Sequence, residues 1–350
     1  MNSERVNLVE AALVAVMALA GCGQPKGVLF EPLGDPLVWP PPPDPARIHY
    51  VGALETSADL KPARSFGQQL DEAFFGKNDV HSMLTPLAVC TDGGDRVFVC
   101  DSNGQLIHLF DLESRKYEQW RPETEEGEPI FAQPVGVAYD WLDRLLVSDP
   151  VAGVIHVLDV RGNFLGSIGA GIVERPVGIA VDPVRNRIYV ADTKMHQVFV
   201  FASDGTAVAR IGRRGTGPGE FNFPTNVAVD SLGQLYVSDT LNSRVLVFDH
   251  DHSFLRQIGS KGDLPGYFSQ PKGLALDSEG HLYVVDSHFE SIQIYDPGGA
   301  LLLAFGEEGR GRGQFWLPSG IAIDSLDRIW VADSYNRRVQ VFQYRPEVQP

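Results

Sequence analysis

The sequence predicts an all-β fold, a six-bladed β-propeller whose blades each hold four antiparallel strands. Three observations predict it. One phrase recurs six times: a proline, a short apolar strand ending near Asp, a turn, and a second apolar strand ending in Asp. A clean copy is Pro224-Thr-Asn-Val-Ala-Val-Asp230 followed by Leu235-Tyr-Val-Ser-Asp239. The prolines stand at 86, 134, 176, 224, 271 and 318, spaced by 48, 42, 48, 47 and 47 residues, and in a strand-only sequence that period belongs to propellers. The second strands end at Asp101, Asp149, Asp192, Asp239, Asp286 and Asp333, always 15 or 16 residues after the proline. The inner hairpin therefore has a nearly constant length.

Residues 1–21 lie outside the fold. Met1-Asn-Ser-Glu-Arg5 is a short leader with one Arg, Ala11 to Ala20 is apolar, and Leu19-Ala20-Gly21-Cys22 closes the run with small residues. An apolar run this short does not span a bilayer as a mature helix. Leu-Ala-Gly-Cys resembles a bacterial lipoprotein signal, which implies cleavage before Cys22 and lipidation of its thiol. Gly23 at the next position, by the same resemblance, favours the periplasmic side of the outer membrane in the bacterial cell envelope. Residues 22–45 carry Pro25, Pro32, Pro36, Pro40 to Pro43 and Pro45. They read as a stiff, Pro-rich spacer.

Residues 46–345 make the propeller, leaving 346–350 as a tail. The stretch Arg47-Ile-His-Tyr-Val-Gly-Ala-Leu54 aligns with the fourth strand of a repeat, Phe254-Leu-Arg-Gln-Ile-Gly259, and the sixth repeat lacks that strand. The N-terminal strand is therefore expected to complete the last blade and close the ring, which removes an exposed edge. Ser65 to Phe75 is expected to form a short helix. In each repeat a third strand follows the terminal Asp, as in Arg244-Val-Leu-Val-Phe248, and turn residues such as Leu232-Gly233, Glu279-Gly280, Ser203-Asp-Gly205 and Pro297-Gly-Gly299 sit where hairpins need them. Cys90 and Cys100 fall on the two strands of the first inner hairpin. They read as two small buried thiols, with a disulfide left open.

The phrase Pro-x-Gly-Ile/Leu-Ala-Val/Ile-Asp, then Leu/Ile-Tyr/Trp-Val-x-Asp-Ser/Thr, then Val-x-Val-Phe resembles the NHL repeat. The connecting loop Gly-x-x-Gly-x-x-x-Gly-x-Phe-x-x-Pro occurs at 212–224, 259–271 and 306–318. The resemblance covers residues 84–343, with repeats one and two degenerate. Some members of this group are metal-dependent lyases or lactonases, and the resemblance implies Ca²⁺ or Zn²⁺ in the channel if this chain is an enzyme. No Gly-x-Ser-x-Gly, His-Glu-x-x-His or Cys-His pair of usable spacing is present. The expectation is therefore a non-enzyme without a cofactor. A lactonase-like or amidating-lyase-like hydrolase or lyase is the alternative.

The formal charge is −16, which disfavours nucleic acid and anionic bilayers as partners, because both need Lys and Arg to displace counterions. Contact with a membrane is expected through the lipid anchor only. Arg310, Arg312, Arg337 and Arg338 form a small basic patch. The terminal Asp residues recur in every repeat, so they read as loop caps. Function should sit where the repeat is broken. On the face formed by residues after each proline and each terminal Asp, the departures are Thr225, Asn226, Lys272, Lys194, His196, His288 and Tyr335. These are the ligand-face candidates, and the expected partner is a protein, peptide or glycan.

Overall fold

The computed structural model describes residues 25–63 and 80–346. Six antiparallel sheets stand around a channel, five with four strands and the last with five. The innermost strands are Pro86–Thr91, Gly136–Tyr139, Pro176–Asp182, Pro224–Val229, Pro271–Leu276 and Pro318–Ile323. Within each of the first five blades the strands follow chain order from the channel outward.

Burial explains the sequence pattern. The second and third strands of blade 4, Leu235–Asp239 and Arg244–Phe248, are buried at every residue. Neighbouring blades cover both of their faces, so the strands read as continuous apolar runs. In the outer strand Phe254–Ile258 only the last residue is buried. The core is divided among the blade interfaces. Ile155 and Val157 of blade 2, for example, share a cluster with Val190, Phe199 and Phe201 of blade 3.

The expected closure is present. Ile48–Leu54 pairs with Arg338–Tyr344 from Ile48↔Tyr344 to Leu54↔Val339, and Ile48 and Leu54 are fully buried. The four turns named above carry positive φ at Gly233, Gly280, Gly205 and Gly299. In the connecting loops Gly212, Gly259 and Gly306 also have positive φ, and a Cβ there would lie within 2.5 Å of the ring of Phe221, Phe268 or Phe315. Those rings are fully buried or nearly so. The loop therefore needs glycine both for its backbone and to seat its phenylalanine.

Two expectations are corrected. The Pro-rich stretch is docked along the outside of blade 6 over most of its length. Val38–Trp39 pairs with Ile48–His49 as a fifth strand, Phe30 packs on Trp330 and Trp39 on Phe305 and Phe342, and Gly27 N donates to Lys61 O at 3.1 Å. Isolated aromatic residues between prolines find grooves on the finished blade. Arg338, assigned to a surface basic patch, is buried and bonds Asp333 at 2.8 Å. The third strand of the blade starts at this residue, and its side chain turns inward. Cys90 and Cys100 are free and buried on the same face of the first hairpin, where Cys100 pairs with Ala88 and Cys90 with Phe98, and burial pushes both thiols up. The signal segment, Cys22, the stretch expected to be helical at 65–75 and the tail from 347 lie outside the described residues.

Candidate binding face

The terminal Asp residues organise this face. Asp286 accepts from Ser269 N and Gln270 N before its own blade's proline, and from His288 N and Phe289 N in the loop after it. Asp149 does the same with Ala132, Gln133, Val151 and Ala152. Each carboxylate thus staples two loops that are distant in sequence, and the loops converge on the channel mouth. Four residues after each Asp the backbone turns left-handed, at Gln105, Gly153, His196, Ser243, Glu290 and Arg337. Several of these reach the following blade: Gln105 Nε2 donates to Ala132 O, Ser243 Oγ to Ser269 O, and Glu290 accepts from Leu317 N at 2.6 Å.

His196 belongs to that set. Its Nδ1 accepts from Phe223 N at 3.2 Å and its ring meets Phe223 edge-on, so its proton resides on Nε2. Thr225 is engaged within its own blade by Thr240, which in turn reaches the next blade. Thr240 Oγ1 gives its one proton to Pro271 O at 2.6 Å, so Thr225 must be the donor in its 2.6 Å contact with Thr240. Lys194 is exposed and pairs with Glu174 at 2.6 Å. These three side chains already have protein partners.

Asn226 lies in the channel wall. A cavity of about 270 Å³ is lined by residues of the six inner strands, among them Ala88, Gly136, Gly178, Asn226 and Gly320. A Cβ on Gly136, Gly178, Gly273 or Gly320 would collide with the next blade's backbone, for instance Asn226 Cα at 2.6 Å from Gly178. In blades 3, 5 and 6 the glycine falls inside a register shift, whereas Asn226 and Ala88 stand at the end of a shorter one, paired with Ser238 and Cys100, and Gly136 of blade 2 pairs with Ser148. Asn226 Oδ1 accepts from Val227 N at 2.8 Å, and its amide nitrogen remains a donor in an otherwise largely aliphatic channel. Among the described residues no charged or imidazole side chain lines this cavity.

Lys272 is half-buried and makes no ion pair among the described residues. Burial pulls its pKa down, opposed by Asp286 and Glu290 nearby. Glu290, which the sequence reading missed, has its pKa raised by burial. An ammonium and a carboxyl, each shifted toward neutrality by burial, stand together where blade 5 meets blade 6, with His288 close enough to lower Glu290. Tyr335 is 57% exposed, and its ring lies 5.5 Å from that of Trp316. Trp316 was missed too, because the residue two before each proline follows no pattern across repeats. Among the described residues no group of three or more His, Cys, Asp or Glu is placed to hold a metal ion.

Comparison with known proteins agrees with this architecture. Residues 179–234 and 229–303 match a family described as 6-bladed beta-propeller, and residues 315–342 match the NHL repeat. The Drosophila melanogaster protein brain tumor is 26% identical over 128 residues, 36% of this chain and 12% of that protein. The Caenorhabditis elegans B-box type zinc finger protein ncl-1 is 26% identical over 126 residues and is covered over 15% of its length. The chain thus spans a small part of these relatives. Among solved structures, an auxiliary nutrient binding protein from Bacteroides thetaiotaomicron aligns with TM-score 0.57 at 14% identity, covering 75% of this chain and 70% of that one. Virginiamycin B lyase from Staphylococcus aureus aligns with TM-score 0.54 at 14% identity, covering 75% and 96%. At such identities the likeness is one of fold.

Proposed function

We propose that this chain, a six-bladed β-propeller with NHL repeats, is a lipid-anchored binding module of the bacterial cell envelope. It presents its channel-mouth face to a protein, peptide or glycan. One observation carries the reading: the repeat is broken by side chains with unused bonding capacity, namely Asn226 in the channel wall and the unpaired Lys272 beside Glu290. Repeated residues on the same face spend their polar groups on the scaffold. The auxiliary nutrient binding proteins that share the fold make a binding role a natural use of it. Anchoring rests on the Leu-Ala-Gly-Cys22 sequence. With Gly27 already bonded to the body of the domain, Cys22 would hold the propeller within about 18 Å of the bilayer.

Peptide and glycan arrays probed with the protein test the binding reading. Substituting Asn226→Gly, Lys272→Ala and His288→Ala together should erase the array signal at an unchanged melting temperature. An unchanged signal would place binding elsewhere. Palmitate-analogue labelling that disappears in Cys22→Ser tests the anchor. A stoichiometric Ca²⁺ or Zn²⁺ in elemental analysis would instead favour a hydrolase or lyase.

A further inference from the structure

Blades 4 and 6 share one loop frame. In both, an Asn after the terminal Asp donates to the connecting loop, Asn242 to Gly215 O and Asn336 to Gly309 O. In both, a buried Arg clamps the same loop, Arg244 to Gly217 O and Glu220 O, Arg338 to Gly311 O and Gln314 O. On this shared frame blade 6 gains a cation or a ring at five positions. Arg310 stands where blade 4 has Thr216, Arg312 for Pro218, Trp316 for Asn222, Tyr335 for Leu241 and Arg337 for Ser243. Blade 5 has none of these five residues either, carrying Asp263, Pro265, Ser269, His288 and Glu290. Each of these five changes adds a cation or an aromatic ring, while earlier in the loop Glu307 and Glu308 stand where blade 4 has Arg213 and Arg214.

Three of the five side chains are in contact, and Arg312 and Arg337 each follow one of them by two residues on the same loops. Arg310 Cζ sits 4.6 Å from the centre of the Trp316 ring, whose other neighbour is Tyr335 at 5.5 Å. Arg310, Arg312 and Arg337 are exposed and make no ion pair among the described residues. By contrast, the blade-4 loop arginine Arg213 is neutralised by Glu220 at 2.9 Å. Three unpaired guanidinium groups in a chain of charge −16 call for an anionic partner. The backbone of the loop pair is bonded internally, Trp316 N to Asp333, Tyr335 N to Trp316 O and Phe315 N to Glu307 O, so it offers little for strand addition by a peptide. What it offers is ring face and guanidinium planes. That combination suits a chain of apolar sugar faces bearing carboxylates.

We propose that the Arg310–Trp316–Tyr335 patch of blade 6, with Arg312 and Arg337, is a binding site for an acidic polysaccharide of the uronic-acid class. The proposal rests on the reading that the channel-mouth face is the binding face. Sodium polygalacturonate is the probe, with neutral galactan and poly-L-glutamate as controls, in affinity electrophoresis of the full chain. Polygalacturonate should retard the wild type, and galactan and polyglutamate should do so at least tenfold less effectively. A variant that copies blade 4, Arg310→Thr with Trp316→Asn and Tyr335→Leu, should lose retardation at least tenfold while keeping its melting temperature. If that variant is destabilised, Tyr335→Leu alone, at an exposed side chain, decides the matter. Equal retardation by polyglutamate would reduce the patch to plain electrostatics and overturn the proposal, as would equal retardation by galactan or none by any probe. Lys194→Ala, which removes an ammonium already engaged by Glu174, should leave polygalacturonate binding intact. Full retardation of the blade-4 copy, with loss in Asn226→Gly, Lys272→Ala, would return binding to the channel wall and sink this inference alone.

Discussion

Each blade carries two aspartates, one at each end of its inner hairpin, and the two ends use the same side chain differently. At the channel mouth Asp286 bonds Ser269 N, seventeen residues upstream at 2.7 Å, as well as its own following loop. At the opposite end Asp230 bonds only within its own hairpin, accepting from Leu232 N at 2.9 Å, Gln234 N at 2.8 Å and the Tyr236 hydroxyl at 3.3 Å. Asp277 and Asp324 repeat that local pattern. One ring is therefore a set of long-range staples and the other a set of turn caps. A staple that fixes two loops leaves their outward side chains free to vary, and the departures from the repeat gather on that face.

The largest expected effect comes from opening the ring that aligns the staples. Deleting Ile48–Leu54 removes the partner strand of Arg338–Tyr344. It also removes the burial of Ile48 and Leu54, about 3–6 kcal/mol for the two side chains. Chemical denaturation should show a loss of at least that size, and an unchanged midpoint would mean that the closing strand is an accessory. Next comes the direct contrast. Asp286→Ala strands four backbone donors, for a loss of about 3–5 kcal/mol. Asp230→Ala, in a local turn, should cost about 1 kcal/mol. Equal losses would erase the distinction between staple and cap.

Acid titration sharpens the same contrast. Burial works against the charge of Asp149, yet its bonds hold its pKa down at about 2. His156 Nε2 is 3.8 Å away, beyond hydrogen-bonding reach, so the backbone N–H groups of Ala132, Gln133, Val151 and Ala152 carry most of the effect. The folded pKa lies below the unfolded value. The stabilisation is therefore complete above pH about 4 and is lost as pH falls toward 2, about 2 kcal/mol in all. Melting temperatures between pH 5 and 2 should fall more steeply for the wild type than for Asp149→Asn. Parallel curves would show that this staple does not depend on its charge.

Much of this architecture was legible because a propeller repeats its physics. The prolines, the turn glycines, the terminal Asp residues and the missing fourth strand of repeat six are periodic, and period survives sequence drift. The docking of Phe30 and Trp39 was not legible, since single aromatic residues among prolines carry no period and their grooves exist only on the folded blade. Arg338 misled because Arg337 beside it is exposed, and only the start of the third strand decides which of the two turns inward. Asn226 showed itself as a departure from a repeated glycine, and Lys272 as a charge where the other repeats carry Leu, Val, Thr or Ser. Glu290 stands at the position His196 fills in blade 3, and only the fold, which sets it against Leu317 N and Lys272, singles it out; Trp316 lies two residues before a proline, where every blade differs.

The smallest expected effect separates decoration from function on the stapled face. Lys194 departs from the repeat as clearly as Lys272 does, yet its ammonium is exposed and engaged by Glu174 at 2.6 Å. An exposed pair of this kind adds little, because water and salt screen it and two long side chains must be held still. Lys272 has no such partner and is partly withdrawn from water. Lys194→Ala should therefore leave both the melting temperature and the array signal unchanged, while Lys272→Ala alone weakens the signal. If the two substitutions act alike on binding, departure from the repeat is enough to mark the site. If only Lys272 matters, the mark is departure together with an unsatisfied charge.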